Sequence, residues 1–81
     1  MKILSLHQVP SGKPFKIIEI TAGLEARKKL LALGIHVGDF ISKINQTRWS
    51  PVLIRNLTTH SSKIAIGHGL ARKIMVEDEQ L

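Results

Sequence analysis

The sequence predicts a mainly β chain: a small closed barrel of about five short strands, with one inserted α-helix and a short helical turn. Three observations lead there. Five runs rich in β-branched residues recur between residues 15 and 76, each four to seven residues long and bounded by glycine, proline or small polar residues. Only one stretch, GLEARKKLLALG over residues 23–34, carries strong helix formers for several turns. Helix and strand do not alternate in a sustained way, which removes a parallel α/β sheet and leaves a small antiparallel barrel.

Taken in order, Ile3, Leu4 and Leu6 are expected to cap the core ahead of Pro10-Ser11-Gly12-Lys13-Pro14, whose prolines and glycine admit no regular element. FKIIEI, residues 15–20, is the first predicted strand. Its alternation is imperfect, because Ile17 and Ile20 reach the same side only if a bulge lies between them.

The helix begins at Thr21 or Gly23 and places Glu25 in its first turn, where the dipole favours an acid. Gly34 is positioned to end it by adopting the left-handed conformation that side chains with a Cβ resist. At about 100° per residue, Ala26, Leu30 and Leu33 fall in one sector, and Leu24 and Leu31 fall roughly 140–160° away beside Arg27 and Lys28. Two readings follow. Either the barrel and the N-terminal segment cover both faces, or Leu24 and Leu31 stay exposed as a small apolar patch rimmed by cations, as a protein-docking surface would be.

Gly38-Asp39 turns the chain into FISKINQ, residues 40–46, the second strand. A turn at residues 47–51 leads to the third strand, residues 51–57, so that Arg48-Trp49 forms a hairpin tip. A polar loop with His60, a fourth strand over residues 62–67, a single helical turn at residues 67–71 and a fifth strand over residues 73–76 complete the domain. The expected division is a domain over residues 1–76 and an acidic tail over residues 77–81.

Eighty-one residues supply one small core, and with 43% hydrophobic but only 4% aromatic residues that core should be aliphatic. The chain has no cysteine, hence no disulfide framework and no thiolate site. No apolar run approaches the ~20 residues of a membrane span, and the opening residues are too short for a signal segment, so a soluble cytoplasmic chain is expected. The formal net charge is +6, yet residues 77–79 hold three of the six acids, so the body is strongly basic. Such a body is drawn to acidic proteins, nucleic acids or anionic membranes.

Catalytic motifs are missing: no nucleophile elbow, Walker loop or carboxylate pair occurs, and no enzyme is expected. His7, His36, His60 and His68 lack the spacing of a ligand set, so they read as scattered residues and no metal or cofactor is assigned. Gly67-His68-Gly69 lacks the Lys and Ser/Thr of a phosphate loop and reads as a tight turn. Trp49 is either a partly packed hairpin residue or an interface anchor. The candidate partner-binding residues are Leu24, Arg27, Lys28, Leu31, Arg48, Trp49 and Arg55. A single tryptophan and no tyrosine make a poor stacking platform, so nucleic acid is disfavoured as a partner.

Leu4-Ser5-Leu6 before a Gly-containing loop, the series Arg27, Leu30, Leu33-Gly34-Ile35, Gly38, Ile41, and the closing Ile64-Ala65-Ile66-Gly67, Gly69-Leu70-Ala71, Ile74, Val76 together resemble the ferrous iron transport protein A family, FeoA. The pattern departs at Val37, where members commonly carry proline, and at the hairpin tip, where they are rich in glycine and proline. The resemblance implies an SH3-like barrel and a small non-catalytic cytosolic accessory protein. It implies action through the cytosolic domain of FeoB, a ferrous iron permease with an intracellular GTPase domain, without a small-molecule substrate and at the membrane only through the permease. The same module resembles the C-terminal domains of some iron-dependent repressors, so the alternatives are a repressor-type regulatory module and a nucleic-acid-binding small barrel.

Overall fold

A computed structural model describes residues 2–78, and it is a bent six-stranded antiparallel sheet with two helices set between strands. In chain order the elements are β1 (Ile3–Ser5), β2 (Pro14–Ile20), α1 (Leu24–Ala32), β3 (Phe40–Asn45), β4 (Val52–Asn56), β5 (Ile64–Ile66), α2 (His68–Ala71) and β6 (Ile74–Asp78). The sheet runs β1-β6-β2-β3-β4-β5. Among the described residues no helix is long and apolar enough to cross a membrane.

The five expected strands are present and a sixth, β1, precedes them. The leading leucines do more than cap the core, for Ile3, Leu4 and Ser5 pair with Glu77, Val76 and Met75 of β6. Three residues are too few to show alternation, so β1 owes its conformation to its partner strand. The strand β6 in turn runs through Asp78, past the expected domain boundary at Val76, and Lys13 pairs with Asp78 at 3.0 Å. Glu77 and Asp78 therefore belong to the sheet, and the remainder of the expected tail lies outside the described residues.

The core is aliphatic around Phe15: Leu6, Val9, Ile17, Ile20, Leu30, Ile35, Ile41, Val52, Ile54, Ile66, Ile74 and Val76 are all buried. The bulge required by residues 15–20 is there, since the β2–β6 register shifts between Ile17 and Glu19 and both Ile17 and Ile20 face inward.

Helix α1 is seated by few side chains. Gly23 caps its start and, having no side chain, leaves the first turn without a side-chain cap, while the Thr21 hydroxyl donates to the carbonyl of Lys73 at 3.1 Å. Its other end is a Schellman motif: the Gly34 N–H donates to Leu31 O at 2.9 Å and the Ile35 N–H to Leu30 O at 3.0 Å, with Gly34 at φ +85°. Leu30 and Ile35, the pair such a motif brings together, are both fully buried. Of the sector that periodicity assigned inward, Leu30 is core and Ala26 packs against it, whereas Leu33 is 38% exposed. Leu33 is the C-cap residue, where the chain already leaves the helical path.

Candidate functional site

Two surfaces carry the sequence-expected residues. On α1, Leu24 is 67% and Leu31 55% exposed, flanked by exposed Arg27, Lys28 and Lys29. Their exposure follows from the helical period: with Leu30 committed to the core, the opposite face has no sheet to meet. Arg27 reaches back to accept a place beside β2, its Nη1 donating to Ile20 O at 3.4 Å. The reading in which barrel and N-terminal segment cover both helix faces does not hold, because no described segment covers Leu24 or Leu31.

The second surface is the β3–β4 turn. Trp49 is 88% exposed, with the Arg48 guanidinium 5.9 Å from its ring centroid, so it is not a packed hairpin residue. Within the turn, Thr47 Oγ1 accepts from the Ser50 N–H at 3.1 Å. Arg55 is exposed on β4 opposite Ser42, within a strand and away from the turn. The candidate residues thus divide into a helix group and a turn group, with Arg55 apart from both.

Behind the turn lies a cleft of about 550 Å³ lined by His7, Gln46, Thr47, Arg48, His68 and Arg72. His7 and His68, treated as scattered in the sequence, are in contact: His7 Nε2 is 3.0 Å from His68 Nδ1 and the rings meet edge to face at 5.1 Å. One protonation site follows from the acceptor at the end of the chain. Ser50 O can only accept, so His68 Nε2–H donates to it at 2.7 Å, and the other ring nitrogen, Nδ1, faces His7 Nε2. Burial, then the charges of Arg72, His68 and Lys43, hold the His7 imidazole below its usual pKa. Among the described residues no three His, Cys, Asp or Glu side chains gather to hold a metal ion.

Lys43 lies under this cleft at a position that alternation along β3 gives to the core, on the same side as Ile41. Its ammonium donates to Val9 O at 2.7 Å, His7 O at 3.2 Å and Gln46 Oε1 at 2.5 Å, so three N–H groups meet three oxygens. Burial pushes its pKa down. It fastens the N-terminal loop to β3 and so positions His7. Below α1, Asn56 does the corresponding work: its Nδ2 donates to Asp39 Oδ2 at 2.7 Å and to Gly34 O at 2.9 Å, and its Oδ1 accepts from the N–H groups of Thr58 and Thr59. Burial tends to raise the Asp39 pKa, but hydrogen bonds from Asn56, the His36 ring and the His36 N–H, with the charge of His36, outweigh it and hold the carboxyl below its usual range.

His7, Lys43, Gln46, Thr47, His68 and Arg72 were not among the sequence candidates. His7 and His68 stand 61 positions apart, and the long-range pairing of β1 with β6, with the Lys43 anchor, brings them together. The single available signal was Lys43, a cation at an inward position of β3, two residues after the buried Ile41.

The comparisons with known proteins agree with this architecture. The family model described as "FeoA domain" matches residues 4–78. A curated protein of Methanocaldococcus jannaschii named "Putative Fe(2+) transport protein A" is 41% identical over 69 residues, covering 85% of this chain and 79% of that one. A crystal structure of an iron uptake regulatory protein, FeoA, superposes with a TM-score of 0.82 at 28% identity, covering 94% of this chain and 97% of the other. A manganese-dependent transcriptional repressor in complex with manganese gives a TM-score of 0.85 at 13% identity over 95% of this chain but 37% of its own, a likeness of fold alone. With the family model matched over nearly the whole described chain and a relative this similar, the chain belongs to the FeoA domain family, with its SH3-like barrel.

Proposed function

We propose that this chain is a non-catalytic accessory protein of ferrous iron uptake that works in the cytoplasm by docking on the cytosolic domain of a FeoB-type ferrous iron permease. Family membership and a relative named for Fe(2+) transport support the process. The observation that carries the docking mode is the exposure of Leu24 and Leu31 on α1 beside Arg27 and Lys28. Two leucines on a short helix gain from being covered by a partner, and the cations around them favour one with an acidic rim. Arg48 and Trp49 join the interface if the partner also reaches the β3–β4 turn.

The test is a pull-down with the full chain as bait from an iron-starved extract, followed by titration of the purified permease cytosolic domain. Recovery of the permease and saturable binding are the expected results. Recovery of nucleic-acid proteins without a permease favours the repressor-type or nucleic-acid-binding alternative. Sub-micromolar binding to generic single-stranded DNA or RNA that persists at physiological salt points the same way, whereas weak binding lost with salt is charge attraction alone.

A further inference from the structure

We infer that the cleft between the β3–β4 turn and α2 is a binding site for a phosphate group, either the free ion or the phosphate of a nucleotide. Its lining brings together Arg48 from the turn and Arg72 from the end of α2, with His7, His68, Gln46 and Thr47 between them and no carboxylate among them. Neither arginine has an ion-pair partner among the described residues, where the ion pairs are Lys13 with Asp78 and His36 with Asp39.

Two guanidinium groups supplied by separate elements suit a tetrahedral oxyanion, which offers acceptor oxygens in several directions. A carboxylate offers two in one plane and would be served by a single fork. A phosphate ester also carries close to two negative charges near neutrality, the better match for a cleft with several cations and no acid. The volume exceeds what one phosphate fills, and exposed Trp49 has its ring against the guanidinium of Arg48, which lines the cleft, so a nucleotide fits the same chemistry.

The charges facing His7 support the assignment. Burial first, then Arg72, His68 and Lys43, disfavour its protonation, and an anion seated among those charges offsets them. Phosphate binding therefore raises the His7 pKa. The cleft shares Arg48 with the turn group but has neither Leu24 nor Leu31 in its lining, so Arg72→Gln tests it apart from docking through the α1 face.

The experiment is an NMR titration of the full chain with inorganic phosphate, with a nucleoside triphosphate and with hexaglutamate in separate series. Saturable shifts at the amides of Thr47, Arg48, His68 and Arg72 are expected with the phosphate compounds, with an upward move of the His7 ring titration. Arg72→Gln should weaken binding roughly tenfold or more, as loss of a charge-assisted hydrogen bond requires. Arg72→Lys should retain part of it, and Arg55→Gln, which removes the same charge elsewhere, should leave it unchanged. Tighter triphosphate binding with added shifts at the Trp49 indole identifies a nucleotide, and equal affinity identifies the ion. Absence of saturable shifts at millimolar phosphate overturns the proposal. So does equal weakening by Arg72→Gln and Arg55→Gln, or saturation by hexaglutamate at these residues without saturation by phosphate.

Discussion

The α1 face and the cleft behind the β3–β4 turn are both solvent-exposed, but they are held from beneath in different ways. The helix rests on one fully buried leucine, a Schellman end and the Asn56–Asp39 cluster, in which a neutral amide satisfies a carboxylate and two loop N–H groups. The cleft rests on Lys43, a buried cation whose partners are backbone and amide oxygens with no counter-charge. Hydrophobic seating leaves the outer helix face free to be apolar. A buried ammonium makes its surroundings positive, and the side chains above it are polar or cationic.

The largest effect separating the two should come from Leu30→Ala. It removes the one residue of α1 fully in the core, and a loss of ~2–5 kcal/mol in unfolding free energy is expected by denaturant titration. Asn56→Ala should follow at about 2–3 kcal/mol, because Asp39 loses a charge-assisted donor and the Thr58 and Thr59 N–H groups lose their acceptor. It should also change the acid limb. Asp39 has a lowered folded-state pKa, so its contribution is full above the unfolded value of 3.8 and is lost as pH falls through the lower folded value. Without Asn56 the folded value moves up toward 3.8, so this acid-linked loss should shrink and be complete at higher pH.

Lys43→Met should cost about 1–3 kcal/mol, since methionine fills the volume and removes a costly buried charge but leaves the His7 and Val9 carbonyls without their donor. Unlike Asn56→Ala, it should disturb His7 and the cleft and leave α1 in place, which amide hydrogen exchange can show. Smaller again is the dependence on His7. Its folded pKa lies below 6.5, so as pH falls from there the unfolded chain takes up a proton that the folded chain resists, and stability declines. His7→Gln should flatten the stability profile in that window.

The same contrast explains what could be read in the sequence. Gly34, Leu30 and the helix formers between residues 24 and 32 are local signals, and the Ile17–Ile20 misphase demanded the bulge that β2 contains. These features are settled within a few residues. The strand β1 was not legible, because Ile3–Ser5 takes its conformation from its pairing with Met75, Val76 and Glu77 of β6, at the far end of the chain. Trp49 was ambiguous because exposure at a turn depends on how far the hairpin projects. The cleft was invisible because His7 and His68 meet through long-range pairing, and only the inward Lys43 signalled that the N-terminal loop needed a cationic anchor.

The docking account is tested most directly by Leu31→Gln, with unfolding free energy and affinity for the permease cytosolic domain measured on the same preparation. Leu31 is 55% exposed and outside the core, so stability should change by no more than ~0.5 kcal/mol while binding weakens by more than ~1 kcal/mol. Unchanged affinity with an intact fold would contradict docking through α1, and a loss of stability as large as that of Leu30→Ala would show that Leu31 serves packing.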